Sequence, residues 1–202
     1  GTCNVSAGYI AGSGITTGSC NVAIGAHTLS ATSTGDRNTA VGLCALKVNT
    51  ASANTAIGSA ALLSNTSGSS NVALGNSMEQ NTTGSDNTAA GNGALQANTT
   101  GADNTAVGRL SLKANTTGDS HTAVGLKALL ANTTGLCNTA IGAYSLDANT
   151  TGCCNTAVGL GTLGANTTAI NNTAIGSCSL FANTTGDSNT AVGTDALKAN
   201  TT

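Results

Sequence analysis

Apolar and polar residues recur along this chain with a period of seventeen. One pass reads Asn138-Thr139-Ala140-Ile141-Gly142-Ala143-Tyr144-Ser145-Leu146-Asp147-Ala148-Asn149-Thr150-Thr151-Gly152-Cys153-Cys154, and at Asn155 it begins again. Counting positions from the first Asn, twelve repeats start at Asn4, Asn21, Asn38, Asn54, Asn71, Asn87, Asn104, His121, Asn138, Asn155, Asn172 and Asn189. Position three is Ala in all but the first repeat, which has Ser6. Position four is mostly β-branched, as in Ile24, Val41, Val124 and Ile175, and position five is Gly from Gly8 to Gly193. Position nine is usually Leu, as in Leu29, Leu112 and Leu180; position eleven is usually Ala, and Asn-Thr-Thr-Gly follows. Single residues are missing near Asn49-Thr50-Ala51-Ser52-Ala53 and near Met78-Glu79-Gln80, where turns absorb them.

A fixed period of this size marks a solenoid. The pattern predicts an all-β fold, a parallel β-solenoid of about twelve coils, in which residues 1–202 form one array or a stretch of a longer fibre. Thr-Ala-Val is short and β-branched, and Gly closes it, so it predicts a strand. The segment around Ala-Leu-x-Ala is expected to form a second short strand, one helical turn being the alternative. Because one coil cannot bury its own apolar face, neighbours must stack. Parallel strands lie about 4.8 Å apart, so twelve coils give a rod on the order of 58 Å long. Like residues then make columns, and the Asn columns are expected to form amide ladders. Alternation along the strand puts positions two and four on one face and three and five on the other. The branched residues at four are expected to face inward, leaving Ala and Gly pointing toward another wall or a partner chain.

Composition removes several function classes. Charged residues are 7% of the chain and the net charge is −2; a typical soluble domain carries about 25% charged residues. Nucleic-acid binding needs clustered Lys and Arg, whereas Arg37, Lys47, Arg109, Lys113, Lys127 and Lys198 are scattered. No apolar run approaches the roughly 20 residues that span a bilayer. Gly1 begins inside a repeat, as in a cleaved or excerpted chain. Thr202 occupies position fourteen and Gly1 position fifteen, so one copy would continue the pattern of another. End-to-end stacking is therefore an expectation, alongside a convenient cut through a longer array.

Seven cysteines point to an oxidising compartment. Cys3 and Cys20 are one coil apart in column seventeen, and so are Cys137 and Cys154. A separation of about 4.8 Å lies within the usual disulfide Cα range of about 4.4–6.8 Å, so both pairs are expected to staple neighbouring coils. Cys44, Cys153 and Cys178 are left free or bonded between chains. No second ligand pair accompanies Cys153-Cys154, so no metal site is expected. No catalytic set or phosphate loop appears either, so neither catalysis nor a cofactor is expected. His121 stands in the Asn column as a polar substitution. Asn65, Asn81, Asn98, Asn115, Asn132, Asn149, Asn166, Asn183 and Asn200 each begin an Asn-Thr-Thr or Asn-Thr-Ser sequon. They are candidate glycan acceptors, but a turn role is favoured, because sugars on every coil would have to fit the roughly 4.8 Å spacing.

The motif Asn-Thr-Ala-Val-Gly-x-x-Ala-Leu-x-Ala resembles the left-handed parallel β-roll of trimeric autotransporter adhesin heads. Asn21-Val22-Ala23-Ile24-Gly25 and Asn71-Val72-Ala73-Leu74-Gly75 come closest. With the recurring Asn-Thr-Thr-Gly, the chain is also similar to repeats of phage tail-fibre proteins. The resemblance covers nearly the whole chain and implies an elongated, trimeric surface fibre or adhesin that is extracellular, on a cell surface or on a virion. The expected function is that of a structural fibre built by coil stacking, with self-association as its main partnership. A head that binds a receptor or glycan is the alternative, and an ice-binding solenoid a further one. Ice binding would need outward Thr on a flat face, and adjacent Thr-Thr cannot both point outward from one strand.

Overall fold

The computed structural model describes residues 1–31 and 33–202. It is a parallel β-solenoid. Its strands are β1 (Val5–Ala7), β2 (Val22–Ile24), β3 (Thr39–Val41), β4 (Thr55–Ile57), β5 (Val72–Leu74), β6 (Thr88–Ala90), β7 (Thr105–Val107), β8 (Thr122–Val124), β9 (Thr139–Ile141), β10 (Thr156–Val158), β11 (Thr173–Ile175) and β12 (Thr190–Val192). They form one sheet in sequence order, every pair parallel and in register: Val124 lies opposite Ile141, and Val158 opposite Ile175. The period read from the sequence is thus the coil itself.

The strand faces are the reverse of expectation. Position three, not four, points inward. Ala23, Ala40, Ala106, Ala140 and Ala174 are fully buried, while Ile24, Ile57, Ile141 and Ile175 are exposed. Leucine at position nine is fully buried from Leu29 to Leu180, with Met78 taking its place in one coil, and these side chains form one core cluster with the position-three alanines. Each buried Leu contributes roughly 1.5–3 kcal/mol of apolar burial. Of the small residues expected to point toward another wall or a partner chain, the position-three alanines lie in the core of their own rod.

The second expected strand is absent among the described residues. The Ala-Leu-x-Ala segment is a run of turns. Its backbone cannot extend, because positions seven and nine enter the left-handed region, as at Tyr144 (φ 57°) and Leu146 (φ 49°). Position seventeen does the same, as at Ser120 (φ 61°) and Cys154 (φ 58°). Such angles are uncommon for residues other than Gly. Coil-to-coil bonding still supports them, as where the Leu46 amide donates to the Ala61 carbonyl at 3.1 Å. The one-residue gap in the Asn71 repeat falls at the corner between Asn76 and Ser77, just ahead of Met78. There the Gly93 amide takes the Asn76 carbonyl, and no residue fills position seven.

The two glycine columns both leave no room for a Cβ at most coils, but only one also has a left-handed backbone angle. Gly142, at position five, has φ +136°, an angle that side chains avoid. Gly118, at position fifteen, has no such angle; a Cβ there would lie 2.4 Å from the Gly135 carbonyl oxygen and 2.5 Å from Asn115 Oδ1. Closeness to the next coil, not backbone freedom, selects that glycine.

Candidate functional site

Two buried files of asparagine run down the rod. In column twelve each amide nitrogen donates to the side-chain oxygen of the preceding coil: Asn115 to Asn98 at 2.9 Å, Asn132 to Asn115 at 2.9 Å and Asn149 to Asn132 at 2.9 Å. The same nitrogen donates within its own coil, from Asn149 to the Gly152 carbonyl at 3.0 Å. In column one the side-chain oxygen instead accepts the backbone N–H of the next coil, as Asn138 does from Asn155 at 2.9 Å. The column-one amide nitrogen reaches the same turn carbonyl, Asn138 to Gly152 at 2.7 Å. One carbonyl at position fifteen therefore receives both asparagines of its coil. Buried polar groups must be paired, and here the pairing is also what joins coil to coil.

His121 takes an asparagine's place without breaking the file. Its Nδ1 accepts the Asn138 backbone N–H at 3.1 Å, and its Nε2 lies 2.7 Å from the Gly135 carbonyl. That geometry requires a proton on Nε2 and none on Nδ1, the neutral ring. Burial lowers its pKa, opposed by the hydrogen bonds to Gly135 and Asn138 and by the charge of Asp119.

The sequon asparagines are those of the ladder. Asn65, Asn81, Asn98, Asn115, Asn132, Asn149, Asn166 and Asn183 are fully buried, and their amide nitrogens, which would carry a sugar, are all hydrogen-bond donors. A folded coil has no room for a glycan on them. Asn200 is half-buried and donates to Asn183 at 3.2 Å.

All seven cysteines are free thiols, so neither expected staple is formed in this structure. Column seventeen does bring the expected partners together. Cys3 and Cys20 share the same left-handed angle, φ 57° and 59°, with the Cys20 amide bonded to the carbonyl of Thr2 at 2.9 Å. Cys137 and Cys154 share that angle too, φ 55° and 58°, and the Cys154 thiol is held above its ordinary pKa by desolvation, then by Cys137 and Cys153. Cys153 sits beside them, where its sulfur accepts the Leu136 N–H at 3.3 Å. Among the described residues no group of three His, Cys, Asp or Glu side chains is placed to hold a metal, and no helix is long and apolar enough to cross a membrane.

Two surface features escape a reading along the chain. The first is the outward strand face, where positions two and four run from Val5 to Val192 without one charged residue. The second is a notch between Tyr144 and Phe181, which are distant in sequence but two coils apart in space. Reading down the columns, rather than along the repeats, would have exposed both.

Fold and surface together define a β-solenoid repeat protein with asparagine ladders. Beyond that class, no protein-family model, curated protein or solved structure matches the chain.

Proposed function

We propose that this chain is a structural segment of an extracellular fibre, on a cell surface or a virion, with no catalytic role. It associates with copies of itself side by side through the outward strand face, and end to end by coil stacking. The uncharged strip carries this reading. Ile24, Ile57, Val107, Ile141 and Ile175 stand exposed in one line, flanked by half-buried Thr at position two. Contiguous apolar patches beyond a few hundred Å² mark interaction sites on soluble proteins. A strip on the order of 58 Å long by the strand spacing reaches that size even at one side chain's width. Because each coil repeats the same ridge, two rods match at every coil at once. The likeness to trimeric adhesin heads and tail fibres favours a trimer as the lateral assembly.

Sedimentation velocity tests the lateral contact. The Val124→Lys, Ile141→Lys double variant is expected to sediment as a single rod while the parent chain forms the larger species. Both substitutions lie on the outer face, so the melting temperature should stay within a few degrees. A parent chain that remains a monomer at high concentration would remove lateral assembly. Ice binding draws less support: the exposed Thr column, as at Thr117 and Thr134, lies in the turn, and on the strand face Thr is half-buried beside protruding Val and Ile.

A further inference from the structure

One coil lacks two side chains that the coils on either side carry. In the coil starting at Asn155, positions seven and ten are both Gly, Gly161 and Gly164, and no other coil lacks both side chains. The result is a hollow of about 470 Å³ lined by Tyr144, Asp147, Ala148, Gly161, Gly164, Ala165 and Phe181. A comparable hole at Gly93 is filled by its neighbour, since a Cβ there would lie 2.6 Å from Leu110 Cδ2. At Gly161 the nearest atoms, Cys178 Sγ at 3.8 Å and two Phe181 ring carbons at 3.9 Å from where a Cβ would be, border that position without occupying it.

The walls have a definite chemistry. Tyr144 stands one coil before the gap and Phe181 one coil after it, so they are about 10 Å apart along the rod axis at the parallel-strand spacing. Both are exposed. The Phe181 ring rests against Gly164, its Cε2 3.0 Å from where a Cβ would be. Asp147 contributes a half-buried carboxylate at the rim. Lys127 places its ammonium 5.4 Å from the centre of the Tyr144 ring, so the local positive charge is already supplied. A second hollow of about 450 Å³ is lined by Gln80, Gln96, Lys113, Leu130 and three alanines, with no aromatic ring.

We propose that the notch between Tyr144 and Phe181 is a carbohydrate-binding subsite that takes one pyranose ring. An aromatic wall offers a flat apolar surface to the C–H face of a sugar, and Tyr adds a hydroxyl at its edge. The Asp147 carboxylate accepts from sugar hydroxyls. The volume lies within the range of small-molecule sites, about 300–1,000 Å³. A neutral polyol suits these walls better than an organic cation, which would meet the Lys127 ammonium. The site does not depend on lateral assembly, because its residues lie at positions seven, ten and eleven, off the strand face.

Saturation-transfer NMR on the full chain tests this, with methyl glucoside, methyl galactoside and N-acetylglucosamine as probes and tetramethylammonium as the competing cation. At least one sugar is expected to receive saturation and to shift the Tyr144 ring resonances. Gly161→Leu, which fills the gap as Leu110 does elsewhere, should abolish the signal. Phe181→Ala and Asp147→Asn should each weaken binding roughly tenfold with the fold intact, which keeps the test decisive if Gly161→Leu fails to fold. No transfer to any of the three sugars, transfer that survives Phe181→Ala and Asp147→Asn unchanged, or shifts with tetramethylammonium alone would overturn the assignment.

Discussion

The amide nitrogen of Asn149 donates to Asn132 Oδ1 at 2.9 Å, one coil away, while its own oxygen accepts from Asn166 at 2.8 Å. A third bond, to the Gly152 carbonyl, closes the turn of its own coil. A single buried side chain thus ties three successive coils. Replacing it with Leu would bring apolar volume but leave Asn132, Asn166 and Gly152 each short of a partner. An unmade buried hydrogen bond costs about 1–3 kcal/mol. Asn149→Leu is therefore expected to lower unfolding stability by about 3 kcal/mol or more in urea titration. Since each coil contacts only its neighbours, hydrogen exchange should rise first in the coils bordering residue 149. A uniform rise along the rod would contradict a ladder that acts locally.

Backbone angle and closeness make opposite predictions at two surface turns. At Gly142 (φ +136°) a Cβ would sit 2.3 Å from the Gly159 carbonyl oxygen and 2.6 Å from its carbon. Gly142→Ala must move backbone, and a loss of about 3 kcal/mol is expected. Ser120 is exposed in the left-handed region at φ 61°, a conformation costing about 1–2 kcal/mol for a residue with a Cβ. Glycine relieves that cost but loses about 0.5–1 kcal/mol of chain entropy. Ser120→Gly should therefore leave stability unchanged or raise it by about 1 kcal/mol. Thermal melts of the two variants should move in opposite directions or differ widely.

What the sequence made legible was whatever repeats. The period gave the coil, the sheet order and the register of Val124 opposite Ile141, and the Asn columns gave the ladder. The face assignment failed at Ile141 because a branched apolar residue ordinarily marks a core. Its neighbour Ala140 is the buried one, in one core cluster with Leu146. The left-handed turns at Tyr144 and Leu146 were equally hidden, because they carry no Gly or Asn to announce them. The notch was illegible for a related reason. Gly161 and Gly164 look like corner residues until they are compared with Tyr144 and Asp147, the residues one coil earlier in the same columns.

Column seventeen predicts a specific oxidation pattern. Cys137 and Cys154 occupy the same backbone conformation one coil apart, and so do Cys3 and Cys20. Mild oxidation with a soluble disulfide reagent should form Cys3–Cys20 and Cys137–Cys154, leaving Cys44, Cys153 and Cys178 alkylatable. The two bridged loops are similar in length, and each should raise stability by about 3 kcal/mol. Intact mass after alkylation without reductant reports the bonds directly. Seven labels after oxidation would remove the staples. A product joining Cys153 to Cys137 would show that the adjacent thiol competes for the same partner.

His121 makes the middle of the rod sensitive to acid. Folded, its ring is neutral, with Nδ1 accepting from Asn138 at 3.1 Å. A proton on Nδ1 would set two donors against each other and put a charge inside the ladder. Burial lowers the folded pKa below the ordinary value of 6.5, so the unfolded chain takes up the proton first. By linkage, stability is fully present above pH ~6.5 and is lost as the pH falls from there toward the lowered folded pKa. Asp119, the acidic group that acts on the ring, works against this shift but does not reverse it. Urea melts across the acid range should therefore show a falling limb below pH ~6.5. In His121→Asn, which restores the column's usual residue, that limb should shrink to the part carried by the carboxylates at lower pH. An identical pH profile in the two proteins would mean that the histidine ring is not held neutral by the ladder.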